Sequence, residues 1–79
     1  MSDNNLSYGV LYTEDEYEYR LVTVNDVSRH KLPNPMRLLS VSEWKELGVN
    51  LSHKWSNFEI HPRKPHVLQF RRLRRKNLL

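Results

Sequence analysis

The chain has 79 residues, no cysteine, two glycines and a formal net charge of +4. A chain of that size makes one small domain, which buries only about 60% of the surface its unfolded form exposes. The composition excludes disulfide staples and thiolate zinc sites, a glycine-rich phosphate cradle, and any stretch near the roughly 18 apolar residues of a membrane span.

The charge is unevenly spread. Residues 1–20 carry five acids and one base, whereas residues 53–79 carry eight bases and one acid. Such a chain either pairs its ends in the fold or offers its basic end to an anionic partner.

In chain order, residues 1–7 are polar and expected to be flexible. The opening MSDNNLSYG has no apolar signal-peptide core, so the nucleus or cytoplasm is the expected setting. YGVLYTEDEYEYRLVTV (8–24) reads as two strands, near 9–12 and 17–24, joined by the acidic turn TEDE. Asn25 or Asp26 can cap a short helix to about Lys31, and Pro33 and Pro35 stop it. Ser40-Val41-Ser42-Glu43 fits a capping box. Trp44 and Leu47 then share the buried face of a second short helix, with Gly48 as left-handed terminator and Val49 as its closing contact. Residues 50–54 form a loop. WSNFEIH (55–61) and HVLQFRRL (66–73) alternate as strands, and residues 74–79 carry no pattern. The predicted class is α+β, a four-stranded antiparallel sheet with two short helices between strands 2 and 3, in a single domain over 1–79.

Chemistry-bearing groups are few. No nucleophile has a paired base and no acid has a matched partner, so catalysis is not expected. The histidines are His30, His53, His61 and His66; His61 and His66 could ligate a metal if their loop folded back, but no cysteine or nearby carboxylate completes the shell, and no cofactor is expected. Arg71, Arg72, Arg74, Arg75 and Lys76 read as a solvated tail or as a phosphate-backbone contact. No aromatic-rich strand offers an RNA-stacking platform, which argues against a basic nucleic-acid-binding module. Arg20 within the second strand, Ser52 and Trp55 at the start of the third and Arg72 at the end of the fourth are all donors. If hairpins bring them together, the cluster suits a tetrahedral oxyanion; otherwise Trp55 is core and the arginines are surface.

EYEYRLV, SEWKELGV, the Ser-x-x-Trp of SHKW and IHPRKPHVLQFRR together resemble the Cks proteins, the small regulatory subunits of cyclin-dependent kinases, over about residues 8–73. The resemblance implies a non-catalytic adaptor. It would bind the C-terminal lobe of a kinase within its cyclin complex and dock phosphorylated substrates, typically through phosphothreonine before proline. By residue it implies a phosphate pocket of Arg20, Ser52, Trp55 and Arg72, with Leu11 where the family usually has lysine. One cation fewer predicts weaker phosphate binding, by about tenfold or more. The implied kinase-facing set is Tyr12, Phe58, Glu59, Ile60, His61 and Lys64. Phe58 stands in place of tyrosine, Glu59 in place of an apolar residue, and Lys64 in place of the usual glutamate.

The resemblance also makes His61, Pro62, Arg63, Lys64 and Pro65 a hinge, with the first proline one place early. Closed, the hinge folds back as a hairpin; extended, it sends the last strand into a second subunit as a strand-exchanged dimer. The alternative functions are a phosphoprotein-binding scaffold without kinase binding and the basic nucleic-acid module.

Overall fold

The structure is a computed structural model, and residues 6–74 of it are described. Five strands form among the described residues: β1 (Leu6–Tyr8), β2 (Tyr12–Glu14), β3 (Tyr17–Val24), β4 (Ser56–Ile60) and β5 (Val67–Leu73). All pairings are antiparallel, in the order β1-β3-β5-β4, with β2 on the same side of β3 as β1. The class is α+β, as read from the sequence, but the count of four strands is corrected to five. The predicted first strand at 9–12 is two pieces either side of Gly9-Val10-Leu11. The reason is local. The Gly9 N–H reaches the Leu21 carbonyl at 2.7 Å, where a Cβ would meet that oxygen at 3.3 Å. The alternation of YGVLYTE gives no sign of this close approach.

The flexible ends expected at 1–7 and 74–79 lie mostly outside the described residues. Leu6 and Ser7 are strand residues paired with Val24 and Thr23. Arg74 is likewise tied, its N–H donating to the Glu16 carbonyl.

Between β3 and β4 lie a 3₁₀ helix (Asp26–Lys31) and one α-helix, α1 (Val41–Glu46). The predicted first helix is therefore a 3₁₀ segment. The Asn25 side chain caps it by accepting from the Val27 N–H, but Ser28 alone is buried. With no apolar stripe to bury, nothing in the segment rewards the 3.6-residue repeat. α1 has the full capping box of Ser40 and Glu43. It ends with Gly48 at φ 102°, the Gly48 N–H on the Lys45 carbonyl and the Val49 N–H on the Trp44 carbonyl, the Schellman pattern.

The core forms where α1 and its flanking loops meet one face of the sheet. Val22, Val24, Leu68 and Phe70 from β3 and β5 pack with Leu39, Trp44, Val49 and Trp55. The Trp44 ring meets Phe70 edge-on at 5.2 Å. We call this the covered face. The alternate residues of the same strands, including Tyr17, Tyr19 and Arg71, point to the open face.

Candidate functional site

Two groups of side chains stand out, one on each face. Glu18 and Arg20 follow Val22 and Val24 in the covered-face row of β3, and Arg72 follows Leu68 and Phe70 in that of β5. Beyond the end of the hydrophobic core this row turns polar.

Trp55 joins two of the four predicted oxyanion donors. Its backbone N–H donates to the Ser52 carbonyl at 3.1 Å, and the Arg72 guanidinium lies 4.9 Å from its ring centroid, a cation–π contact. Trp55 is only 5% exposed and belongs to the core cluster, so it is both core and platform. Ser52 Oγ accepts from the Lys54 N–H at 3.2 Å, which holds the loop in a tight turn.

Arg20 approaches the same loop from its other end. Its guanidinium lies 5.4 Å from the Tyr8 ring centroid, and Tyr8 Oη accepts from the Asn50 N–H at 2.7 Å. Arg20 Nε is buried with no hydrogen-bond partner among the described residues. Ser52 and Arg72 thus meet through Trp55, whereas Arg20 reaches only the far end of the loop, through Tyr8 and Asn50. Of the four predicted donors, Arg72 alone lines the neighbouring cleft. Glu18, Lys54, Arg72, Leu73 and Arg74 line a cleft of about 550 Å³ there. Leu11, in the break between β1 and β2, is 46% exposed.

Sequence reasoning missed Glu18, which joins this cluster through an ion pair of 2.6 Å from its Oε1 to Arg72 Nε. The available signal was the antiparallel register, which sets Glu18 opposite Arg72, 54 positions apart.

The open face carries an aromatic patch. Tyr12 stacks on Tyr19 at 5.1 Å, and Tyr19 meets Phe58 at 5.7 Å, edge-on. Arg71 sits 4.3 Å from the Tyr17 centroid and 4.8 Å from that of Phe58. Phe58 is the extra residue of a bulge, since Asn57 pairs with Phe70 while Glu59 pairs with Gln69. The bulge turns Phe58 toward Tyr19. Of the predicted kinase-facing set, Tyr12 and Phe58 come together here. Glu59 is exposed beside them. Ile60 is half-buried and pairs with the buried Leu68, in the covered-face row. Tyr17 and Tyr19 were missed, as they read as ordinary strand residues until the register aligns them, and Arg71 was read only as part of the basic run.

His61 and Lys64 sit in the turn between β4 and β5. His61 Nδ1 accepts from the N–H groups of Arg63 and Lys64 at 3.3 and 3.2 Å, and the Val67 N–H donates to the Lys64 carbonyl at 2.8 Å. HPRKPH is therefore bent back, and β5 pairs within its own sheet. Burial, reinforced by the nearby Arg29 and Lys64 charges, holds the His66 imidazole below its usual 6.5. Among the described residues no group of three or more His, Asp or Glu side chains could hold a metal ion, and no helix is long and apolar enough to cross a membrane.

A family profile described as cyclin-dependent kinase regulatory subunit, CKS, matches residues 6–74. The chain belongs to this family. It is 39% identical to cyclin-dependent kinases regulatory subunit 2 of Xenopus laevis, across 91% of this chain and 90% of that one. It is 45% identical to the cyclin-dependent kinases regulatory subunit of Caenorhabditis elegans, across 89% and 73%. A regulatory subunit 2 of Arabidopsis thaliana is 39% identical, across 85% and 80%. Cks proteins are regulatory subunits, not enzymes.

Proposed function

We propose that this Cks chain is an adaptor of cell-cycle control that binds a cyclin-dependent kinase, within its cyclin complex, by the open aromatic face and docks phosphorylated substrates at the loop 50–55. The observation that carries the substrate half is the Trp55-stacked Arg72 at the cleft, with the unpartnered Arg20 Nε in the same covered-face row of the neighbouring strand. A buried charged donor without an acceptor is costly, by about 1–3 kcal/mol or more, and a phosphate oxygen relieves that cost once the Arg20 side chain turns its Nε out of the buried position. The kinase half rests on family membership and on the contiguous Tyr12, Tyr19 and Phe58 rings, which offer the large, rigid contact area that interfaces use.

Calorimetry with a phosphothreonine-proline peptide and its unphosphorylated twin tests the pocket. Binding is expected only for the phosphorylated peptide, and Arg72→Ala is expected to weaken it at least tenfold, the scale of one lost charge-assisted hydrogen bond. Equal binding of both peptides removes the phosphate reading. In parallel, the chain is expected to hold an active kinase–cyclin complex at both low and high salt, because an apolar contact is not screened.

The exposed Glu59 beside the aromatic patch favours a second reading, in which the chain docks phosphoproteins without a kinase. Phosphopeptide binding with no kinase capture at any salt would select it.

A further inference from the structure

Glu18 has no part in the donor set considered so far, yet it occupies the guanidinium that this set depends on. Its Oε1 accepts from Arg72 Nε at 2.6 Å. The pair is sheltered, with the Glu18 side chain 21% exposed and that of Arg72 37%. Glu18 also lines the same cleft as Lys54, Arg72 and Arg74. A carboxylate oxygen on Nε closes one bidentate edge of the guanidinium fork, the edge that a phosphate would share between Nε and a terminal nitrogen.

Charge points the same way. Two arginines face a ligand of −1.5 to −2 charge, and Glu18 cancels one of the two. Leu11 contributes no charge of its own.

We infer that Glu18 is an internal competitor for Arg72, a carboxylate that holds the guanidinium over Trp55 in the empty pocket and gives it up when phosphate enters. This rests on the phosphate reading proposed above. It makes Glu18 a determinant of affinity: the intramolecular carboxylate is present at high effective concentration, so a ligand must out-compete it and bear its repulsion. A positioning role alone would have the opposite sign, because losing the contact would then free Arg72 and weaken binding.

Glu18→Gln separates the two, since glutamine keeps an acceptor for Nε and removes the charge. Calorimetry with the same phosphothreonine-proline peptide is expected to show binding about fivefold tighter than wild type, the scale of one screened charge removed several ångströms from a dianion. Unchanged or weaker binding by Glu18→Gln, with the wild-type chain binding normally, overturns this inference alone. No phosphate-dependent binding by either chain removes the phosphate reading and this inference with it.

A second measurement needs no variant. The Arg72 Nε–H resonance of the wild-type chain is expected to move when inorganic phosphate is titrated in, as the carboxylate is exchanged for phosphate. A resonance that stays in place at saturation overturns the inference.

Discussion

At the scale of single residues, the covered face has one polar group that the fold depends on. Asn57 is buried in β4. Its Oδ1 accepts from the Leu39 N–H at 2.8 Å, and its Nδ2 donates to the Gln69 carbonyl at 3.1 Å. It thus ties the loop before α1 to the β4–β5 ladder. Asn57→Ala leaves a buried donor and a buried acceptor unpaired, and we expect it to cost roughly 2–4 kcal/mol. Urea unfolding should show a lower midpoint with an unchanged slope; a loss below about 0.5 kcal/mol would mean that water replaces both bonds. WSNFEIH is a strand over Ser56–Ile60, as read from the sequence, but the bulge at Phe58 breaks the alternation expected of it, and the reading carried no sign of this role. An asparagine in a strand reads as solvent-facing until its partners, 18 and 12 positions away, are in place. Glu18 was hidden for the same reason. Among TEDEYE it reads as one more solvated acid, and only the pairing of β3 with β5 sets it against Arg72. Trp55 was legible as core or as donor, and the two readings prove compatible, because its buried ring is the surface that Arg72 covers.

At the scale of elements, α1 was the most legible part of the chain because its start and stop signals are local. Ser40, Glu43, Gly48 and Val49 lie within ten positions and need no long-range partner. What the sequence did not show is that Arg37, from the preceding loop, clamps Glu43 with two bonds of 2.9 and 2.7 Å. That clamp, with the Ser40 N–H, holds the Glu43 carboxyl down at about 2, against an ordinary 4.5. A carboxylate with a lowered folded-state pKa stabilises fully above its ordinary value. That contribution fades as the pH falls from 4.5 and is gone below about 2. We therefore expect Glu43→Gln to be less stable than wild type at pH 7, with the gap closing across that window. Thermal melts of both chains at intervals from pH 7 to pH 2 would check this, and a gap that persists at pH 2 would assign the effect to shape rather than charge. The other end of α1 gives an independent test. The Gly48 position is left-handed, at φ 102°, while a methyl there would meet only Leu6 Cδ1 at 3.7 Å, ordinary contact. Gly48→Ala should then cost only the left-handed penalty, roughly 1–2 kcal/mol, and a cost well beyond that would mean that the Schellman end itself is lost. The 3₁₀ helix and the split first strand were less legible, because the first has no apolar stripe to fix its period and the second is interrupted at one local contact, Gly9 with Leu21, that the alternation does not signal.

At the scale of the whole molecule, the two oppositely charged ends lie side by side and are joined by one ion pair among the described residues. β3 and β5 lie side by side, Glu18 holds Arg72, and Arg74 Nη1 donates to the Asp15 carbonyl at 3.4 Å. Arg71 is spent on the rings of Tyr17 and Phe58. The described part of the basic run is thus built into the sheet, which weakens its reading as a free phosphate-backbone tail; Arg75 and Lys76 lie outside the described residues. Because side chains alternate along these strands, the same two central strands carry the donor cluster on one face and the aromatic patch on the other. If the two faces bind as proposed, their ligands do not compete for space, and one chain would hold a kinase and a phosphorylated substrate together and turn the second encounter into an intramolecular one. Phe58→Asp is expected to lower kinase capture at least tenfold and to leave phosphopeptide affinity within about twofold, as expected for separate sites. Arg72→Ala should do the reverse. Phe58 is the sharper probe than Ile60, whose pairing with buried Leu68 would mix a folding defect into the result. A pull-down of labelled phosphopeptide by immobilised kinase should then require both residues, with either variant alone reducing recovery to background. If Phe58→Asp abolished peptide binding as well, the two faces would be coupled through the sheet, and the picture of two independent docking surfaces on one small fold would fail.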